Sequence, residues 1–240
     1  MMKKLIYMYC LSLAVGTTAF AQDKSWWIGP AFSPDMCSRI LQADAEVAKN
    51  IKASRDQNEH LKLGYTTGIM VRKNLGYISS METGLLYSNK GFSAVMPVIF
   101  GDQIDPMNGI NGTSTASVQY HFKYVDLPVK INYLMVRLQH MDMFMATGVN
   151  VNCLVEQKTV MHVFRDPQPD ETYTSYSTES WQRLNISPML GMGVDIRLRE
   201  SLHLQIEPLM RYGVLPVDEN GLIRTRLWTF GINSILYFKL

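Results

Sequence analysis

Three features of the sequence predict an all-β fold. Apolar and polar side chains alternate with period two over many segments, short and long connections alternate along the chain, and the N-terminus has the pattern of an export leader. Together they specify an eight-stranded antiparallel up-and-down transmembrane β-barrel with short periplasmic turns and long extracellular loops.

The 240 residues are 47% apolar, 10% aromatic and 18% charged, too apolar and too weakly charged for a disordered chain. Beyond the N-terminus no apolar run reaches the ~18 residues that a spanning helix needs. In the leader, Lys3 and Lys4 form a positive n-region and Leu5 to Phe20 an apolar stretch. Ala19-Phe20-Ala21 is a small-x-small cleavage site before Gln22. The expected organisation is therefore a secretory signal peptide at residues 1–21 and one barrel domain at 22–240. Of 23 basic and 21 acidic side chains, the leader holds two basic ones, so the remainder carries 21 of each and no net charge. The totals give no sign of a nucleic-acid-binding surface.

Taken in order, Trp26–Phe32 is the poorest strand candidate, because it is short and contains Gly29 and Pro30. Leu63–Arg72 alternates weakly. Tyr77, Met81, Thr83, Leu85 and Tyr87 then share one face, opposite Ser80, Glu82, Gly84 and Ser88. Val125, Leu127, Val129, Ile131 and Tyr133 oppose Asp126, Lys130 and Asn132. Met141–Leu154 is again weaker. Ile186 to Leu198 alternates with Ser187, Gly191, Gly193, Asp195 and Arg197. Leu202, Leu204, Ile206, Pro208, Met210 and Tyr212 oppose His203, Gln205, Glu207 and Arg211. The last strand sets Trp228, Phe230, Ile232, Leu236 and Phe238 against Thr229, Gly231, Asn233 and Lys239.

Short links fall near Asn74-Leu75-Gly76, Gln139-His140 and Arg199-Glu200, and the long ones cover roughly 33–62, 89–117, 155–183 and 214–225. All the long connections thus emerge at one end, as in transmembrane barrels. A soluble exported barrel of lipocalin type is the competing architecture. Aromatic spacing favours the membrane. Tyr77 and Tyr87 lie ten residues apart on one apolar face, as do Trp228 and Phe238. Ten residues at ~3.3 Å rise and ~40° tilt span about 25 Å, the height of the apolar band between two interfacial girdles. Tyr65, Tyr87, Tyr212 and Trp228 are assigned to the outer girdle, and Tyr77, Tyr133 and Phe238 to the periplasmic one.

Four stretches resemble the PorT-like family of outer-membrane β-barrel proteins. They are Glu82-Thr83-Gly84-Leu85-Leu86-Tyr87-Ser88-Asn89-Lys90-Gly91, Tyr124-Val125-Asp126-Leu127-Pro128-Val129-Lys130, the pair Gly191 and Gly193, and Arg211-Tyr212-Gly213-Val214-Leu215. These anchors lie between residues 82 and 215, and the similar strand pattern runs from about 61 to 240. The resemblance implies an outer-membrane barrel of this size and little about activity. The founding type of that family is tied to a protein secretion apparatus. Two departures stand out: the first strand is poorly formed and precedes an unusually long segment, and the chain ends in Leu240, with Phe238 as its last aromatic residue.

Eight strands enclose a bore that side chains nearly fill. The inward set includes Glu82, Asp126, Lys130, Asp195, Arg197, Glu207 and Arg211, with Asn150, Asn152, Gln205 and Lys239. Mixed signs suit a salt-bridged plug, because unpaired buried charge is costly. A narrow polar conduit or ligand pocket is the alternative.

Catalytic signals are sparse. The five histidines are dispersed, and the sequence has no His-Glu-x-x-His, Cys-x-x-Cys, Walker or Gly-x-Ser-x-Gly motif. His203 near Ser201 is the nearest approach to a lipid-hydrolysing pair, and its parity turns it inward. The expectation is a non-catalytic integral barrel without metal or cofactor, acting through its loops or as a subunit of an envelope assembly. The rivals are a small barrel enzyme acting on outer-membrane lipid and a secreted barrel that binds an apolar ligand. The expected location is the Gram-negative outer membrane after Sec-type export, with outer-membrane lipid and other envelope proteins as partners.

Within the loops, Ile40, Val47 and Ile51 have near-helical spacing, which suggests a short amphipathic helix between Asp35 and His60. Ala94 to Phe100 reads as an extension of a hairpin above the membrane, with a partner-binding ridge as the alternative. Tyr173, Tyr176 and Trp181 stand in the third loop. Cys37 and Cys153 both fall at the outer end, where isolated thiols are favoured over a bond across the barrel.

Overall fold

The computed structural model describes residues 25–43, 59–98, 104–105, 109–110, 114–164, 171–177, 181–218 and 223–240. The leader at 1–21 lies outside the described residues. Eight long strands make the wall: β1 (Trp26–Ala43), β2 (Lys62–Asn74), β3 (Ser79–Val98), β4 (Ser114–Arg137), β5 (Met141–Phe164), β6 (Leu184–Arg199), β7 (Leu202–Tyr212) and β8 (Ile223–Lys239). Each pairs antiparallel with its sequence neighbour, and β1 pairs with β8, so the sheet closes into a ring and has no edge within the wall. The described residues contain no helix.

The links β2–β3, β4–β5 and β6–β7 are tight and lie at one end, beside both ends of the wall, where Trp27 faces Lys239. The long connections lie at the other. In an outer-membrane barrel the first is the periplasmic end and the second the extracellular end.

The first strand corrects the sequence reading, since β1 runs 18 residues, not a short Trp26–Phe32. Its prolines are accommodated on one side only. The register with β2 is continuous from Trp26 to Cys37, whereas the register with β8 skips Gly29–Pro30 and Ser33–Pro34. Proline lacks the N–H that the β8 ladder would use, and the intact ladder on the other side holds the strand. The same extension overturns the expected amphipathic helix over its first part. Asp35–Ala43 is strand, and residues 44–58 lie outside the described set.

The loops are also shorter than the sequence suggested, because strands continue past the membrane. β4 and β5 are 24 residues each, and β3 is 20, against the ~9–11 needed to cross a bilayer. The run beginning at Ala94 is the upper part of β3, paired to β4. Glu171–Tyr176, assigned to the third loop, forms a further short strand on the upper part of β5.

The polarity of the wall inverts partway up. Below Tyr124, β4 turns Val125, Leu127, Val129, Ile131 and Tyr133 outward, each half-buried or exposed, while Asp126, Lys130 and Asn132 are buried inside. Above it, Ser117, Gln119, His121 and Lys123 face outward, and Ala116, Val118, Phe122 and Tyr124 are buried. Parity is unbroken along the strand; only the chemistry changes sides. Hydrocarbon as the outer solvent demands apolar residues outside, and water demands the reverse. The switch therefore marks the outer membrane surface. Above it Phe92, Phe122, Tyr124, Leu154, Val217 and Leu227 form an apolar core, with Tyr120 and Trp181 packed against it. A second cluster, Trp27, Ala31, Met70, Leu86, Ile235 and Tyr237, fills part of the lower lumen.

Candidate functional site

The lumen holds its polar groups in layers. At the centre Lys130 of β4 contacts Glu82 of β3 at 2.9 Å and also Glu207 of β7 on the facing wall. All three are buried. Asn132 donates to Glu82 at 2.6 Å, while Gln205 and Asn233 reach Glu207 at 3.4 Å. One ammonium between two carboxylates leaves a negative charge that these amide donors stabilise.

Toward the extracellular side Asp126 accepts from Lys90 at 3.0 Å, Ser88 at 2.8 Å and Asn152 at 2.5 Å. Beside it, Asp35 of β1 accepts from Arg211 of β7 at 3.1 Å, from Ser33 at 2.7 Å and from Thr66 at 2.5 Å. Toward the periplasmic end Arg72 pairs with Asp195, and His203 lies 3.1 Å from the same carboxylate with its ring 4.3 Å from Trp27. At the rim Arg197 contacts Asp142 at 3.1 Å.

Glu82, Asp126, Lys130, Glu207 and Arg211 therefore stand buried in the lumen, and Asp195 and Arg197 lie toward its periplasmic mouth. Lys239 has inward parity but ends exposed at the rim. Asn150 and Asn152 are buried. Sequence reasoning missed Asp35, Arg72 and Lys90, which complete three of the ion pairs. Asp35 and Lys90 lie in stretches that the sequence reads as loops, and Arg72 closes a strand whose alternation is weak. The inward aromatics were missed too, although Phe122 and Tyr124 share the parity of Asp126.

Of the aromatics expected in the two girdles, Tyr65 and Tyr87 are outward neighbours with ring centroids 6.3 Å apart, and Tyr212 is in register with Trp228. Tyr133 faces outward near the lower end of β4, and Phe238 near the end of β8. Tyr77 lies in the β2–β3 turn. Cys37 is buried on the inner face, whereas Cys153 is exposed on the outer face of β5, so the wall separates the thiols and both are free.

Two cavities inside the lumen measure about 10 Å³ each, room for roughly one water. A larger one of about 130 Å³ opens at the periplasmic mouth. Among the described residues no group of three or more His, Cys, Asp and Glu is placed to hold a metal. His203 is engaged by Asp195 and Arg72, and no described hydroxyl is hydrogen-bonded to it.

Comparison with solved structures finds barrels at low identity. The attachment invasion locus protein Ail of Yersinia pestis, solved with the heparin analogue sucrose octasulfate, is 9% identical, with 90% of this chain and 100% of that one covered and a TM-score of 0.39. Neisserial surface protein A is 8% identical, with 88% and 95% covered and a TM-score of 0.44. The outer membrane protease OmpT of Escherichia coli is 9% identical, with 93% and 99% covered and a TM-score of 0.41. No curated protein matches the chain. Residues 20–213 match the model of the outer membrane protein beta-barrel domain, and with its closed antiparallel ring the chain belongs to that family as an integral protein of the Gram-negative outer membrane.

Proposed function

We propose that this barrel is a non-catalytic, PorT-like outer-membrane protein that works through its extracellular part, as a subunit of an envelope assembly. One observation carries the reading: the wall continues above the membrane as a sheet with its own apolar core, Phe92, Phe122, Tyr124, Leu154, Val217 and Leu227. From Val125 to Thr115 the strand climbs ten residues, about 25 Å at ~3.3 Å rise and ~40° tilt. Loops that merely close a barrel need no core. A sheet that buries one is rigid, and rigid elements present binding residues better than mobile ones. The filled lumen supports the same reading, since ion pairs across the bore leave little room for a conduit.

The test is site-specific photo-crosslinking in intact cells. A photoreactive side chain at His121 or Lys158, both on the outward face of the upper sheet, is expected to give discrete protein adducts, and one at Leu127 to react with lipid. Absence of protein adducts from both upper positions refutes the proposal.

A further inference from the structure

The periplasmic mouth of the barrel holds the largest of the described cavities, about 130 Å³, between the β2–β3 turn, the β4–β5 hairpin and the Arg72 cluster. That is well below the ~300 Å³ of sites for drug-sized ligands. Its walls are polar and incompletely satisfied. Arg137 gives one N–H to the Tyr77 carbonyl at 2.9 Å and stands 3.7 Å from Asp142, beyond hydrogen-bond reach, so donors are left over. Asn132 commits its amide nitrogen to Glu82, which fixes its flip. Among the described residues its buried Oδ1 and the Nε of buried Arg72 have no hydrogen-bond partner. Two guanidinium groups, Arg72 and Arg137, and two carboxylates, Asp142 and Asp195, line the cavity, and Arg197 contacts Asp142 from beside it.

We infer that this mouth binds an α-amino carboxylate, as a free amino acid or as the C-terminal residue of a peptide. The surplus guanidinium donors call for an anionic acceptor, and arginine recognises carboxylate well. The orphaned Asn132 oxygen, which lines the same cavity, calls for a donor. An amino-acid carboxylate with its adjacent N–H supplies both, at the size of one residue. The site faces the periplasm and is separate from the extracellular role proposed above, so the two readings fail independently.

The test uses the full barrel in lipid nanodiscs with isotope-labelled arginine, titrated with N-acetylglycine, glycine and N-acetylglycinamide. N-acetylglycine or glycine is expected to shift the Arg137 side-chain signals with a Kd of about 1 mM. The carboxamide should bind at least tenfold more weakly, and Arg137→Gln, half-exposed at the rim, should weaken carboxylate binding by about tenfold without altering heat-modifiable migration. Preference for N-acetylglycine assigns a peptide end, and preference for glycine a free amino acid. Equal response to carboxylate and carboxamide, no response to either acid, or full binding by the folded Arg137→Gln protein overturns the inference. Ser80→Ala, at a position that lines the cavity and makes no ion pair, serves as the second variant and is expected to weaken carboxylate binding more modestly; an unchanged Kd there also overturns the inference.

Discussion

Arg211 of β7 reaches Asp35 of β1 at 3.1 Å across β8, the strand that separates them. Gly231 of β8 is in register with Asp35 on one side and Leu209 on the other. A Cβ at Gly231 would stand 1.9 Å from Asp35 Oδ1 and 2.6 Å from Ser33 Oγ. The absence of a side chain there is what lets the pair form.

Gly231→Val is accordingly expected to push Asp35 off Arg211 and leave both buried charges short of partners. Breaking a buried pair costs about 3–5 kcal/mol. Urea unfolding in lipid vesicles measures it, and a midpoint equal to that of the parent protein would contradict the role given to Gly231.

Lys130 offers a second test. Among the described residues it is the one cation in contact with both Glu82 and Glu207, so Lys130→Met leaves two buried carboxylates facing each other across the lumen. The expected loss is again about 3–5 kcal/mol. Adding Glu207→Gln removes one of those charges and should recover part of the loss, a coupling that a simple packing defect would not show. Two additive effects would argue against the network.

The strands were legible where lipid acts on one face and the lumen on the other, because that contrast writes period two into the sequence. Val125 to Tyr133 and Trp228 to Phe238 are examples. It was least legible where a second rule intervened. Pro30 and Pro34 lowered the standing of β1, since composition does not reveal that one ladder of a two-sided strand can be sacrificed at each proline. Above the membrane the alternation persists with its sides exchanged, so Phe92 reads as part of the loop at 89–117 while it packs with Phe122 and Tyr124 in a core. Of the lumen network, the members on well-patterned strands were legible by parity. Asp35 and Lys90 were not, because the strand ends that carry them lie in stretches that the sequence reads as loops.

The cysteines give a test of sidedness. Cys153 is exposed on the outer face of β5, one residue from buried Leu154, whereas Cys37 is buried within the lumen wall. A small apolar maleimide should label Cys153 in the folded barrel and Cys37 only after unfolding. Migration of the folded protein should not respond to reducing agent. A bond between the two would require both thiols on one side of the sheet, and its detection would overturn the register of β1 or β5.

The polarity switch on β4 fixes where the membrane ends, and a pair of arginine substitutions tests that boundary directly. Leu127 and Gln119 share the outward face of one strand, eight positions apart, with the switch between them. Leu127→Arg places a guanidinium toward hydrocarbon, where the cost near the midplane is about 2–4 kcal/mol and assembly into the membrane should fall sharply. Gln119→Arg adds the same charge to a face already lined by His121 and Lys123, in water, and should change stability by less than about 0.5 kcal/mol. The comparison holds side-chain type and strand constant, so only the surrounding medium differs. Equal effects at the two positions, measured by heat-modifiable migration and urea unfolding, would mean that the apolar and polar stretches of β4 meet the same solvent, and the extracellular sheet would lose its physical basis.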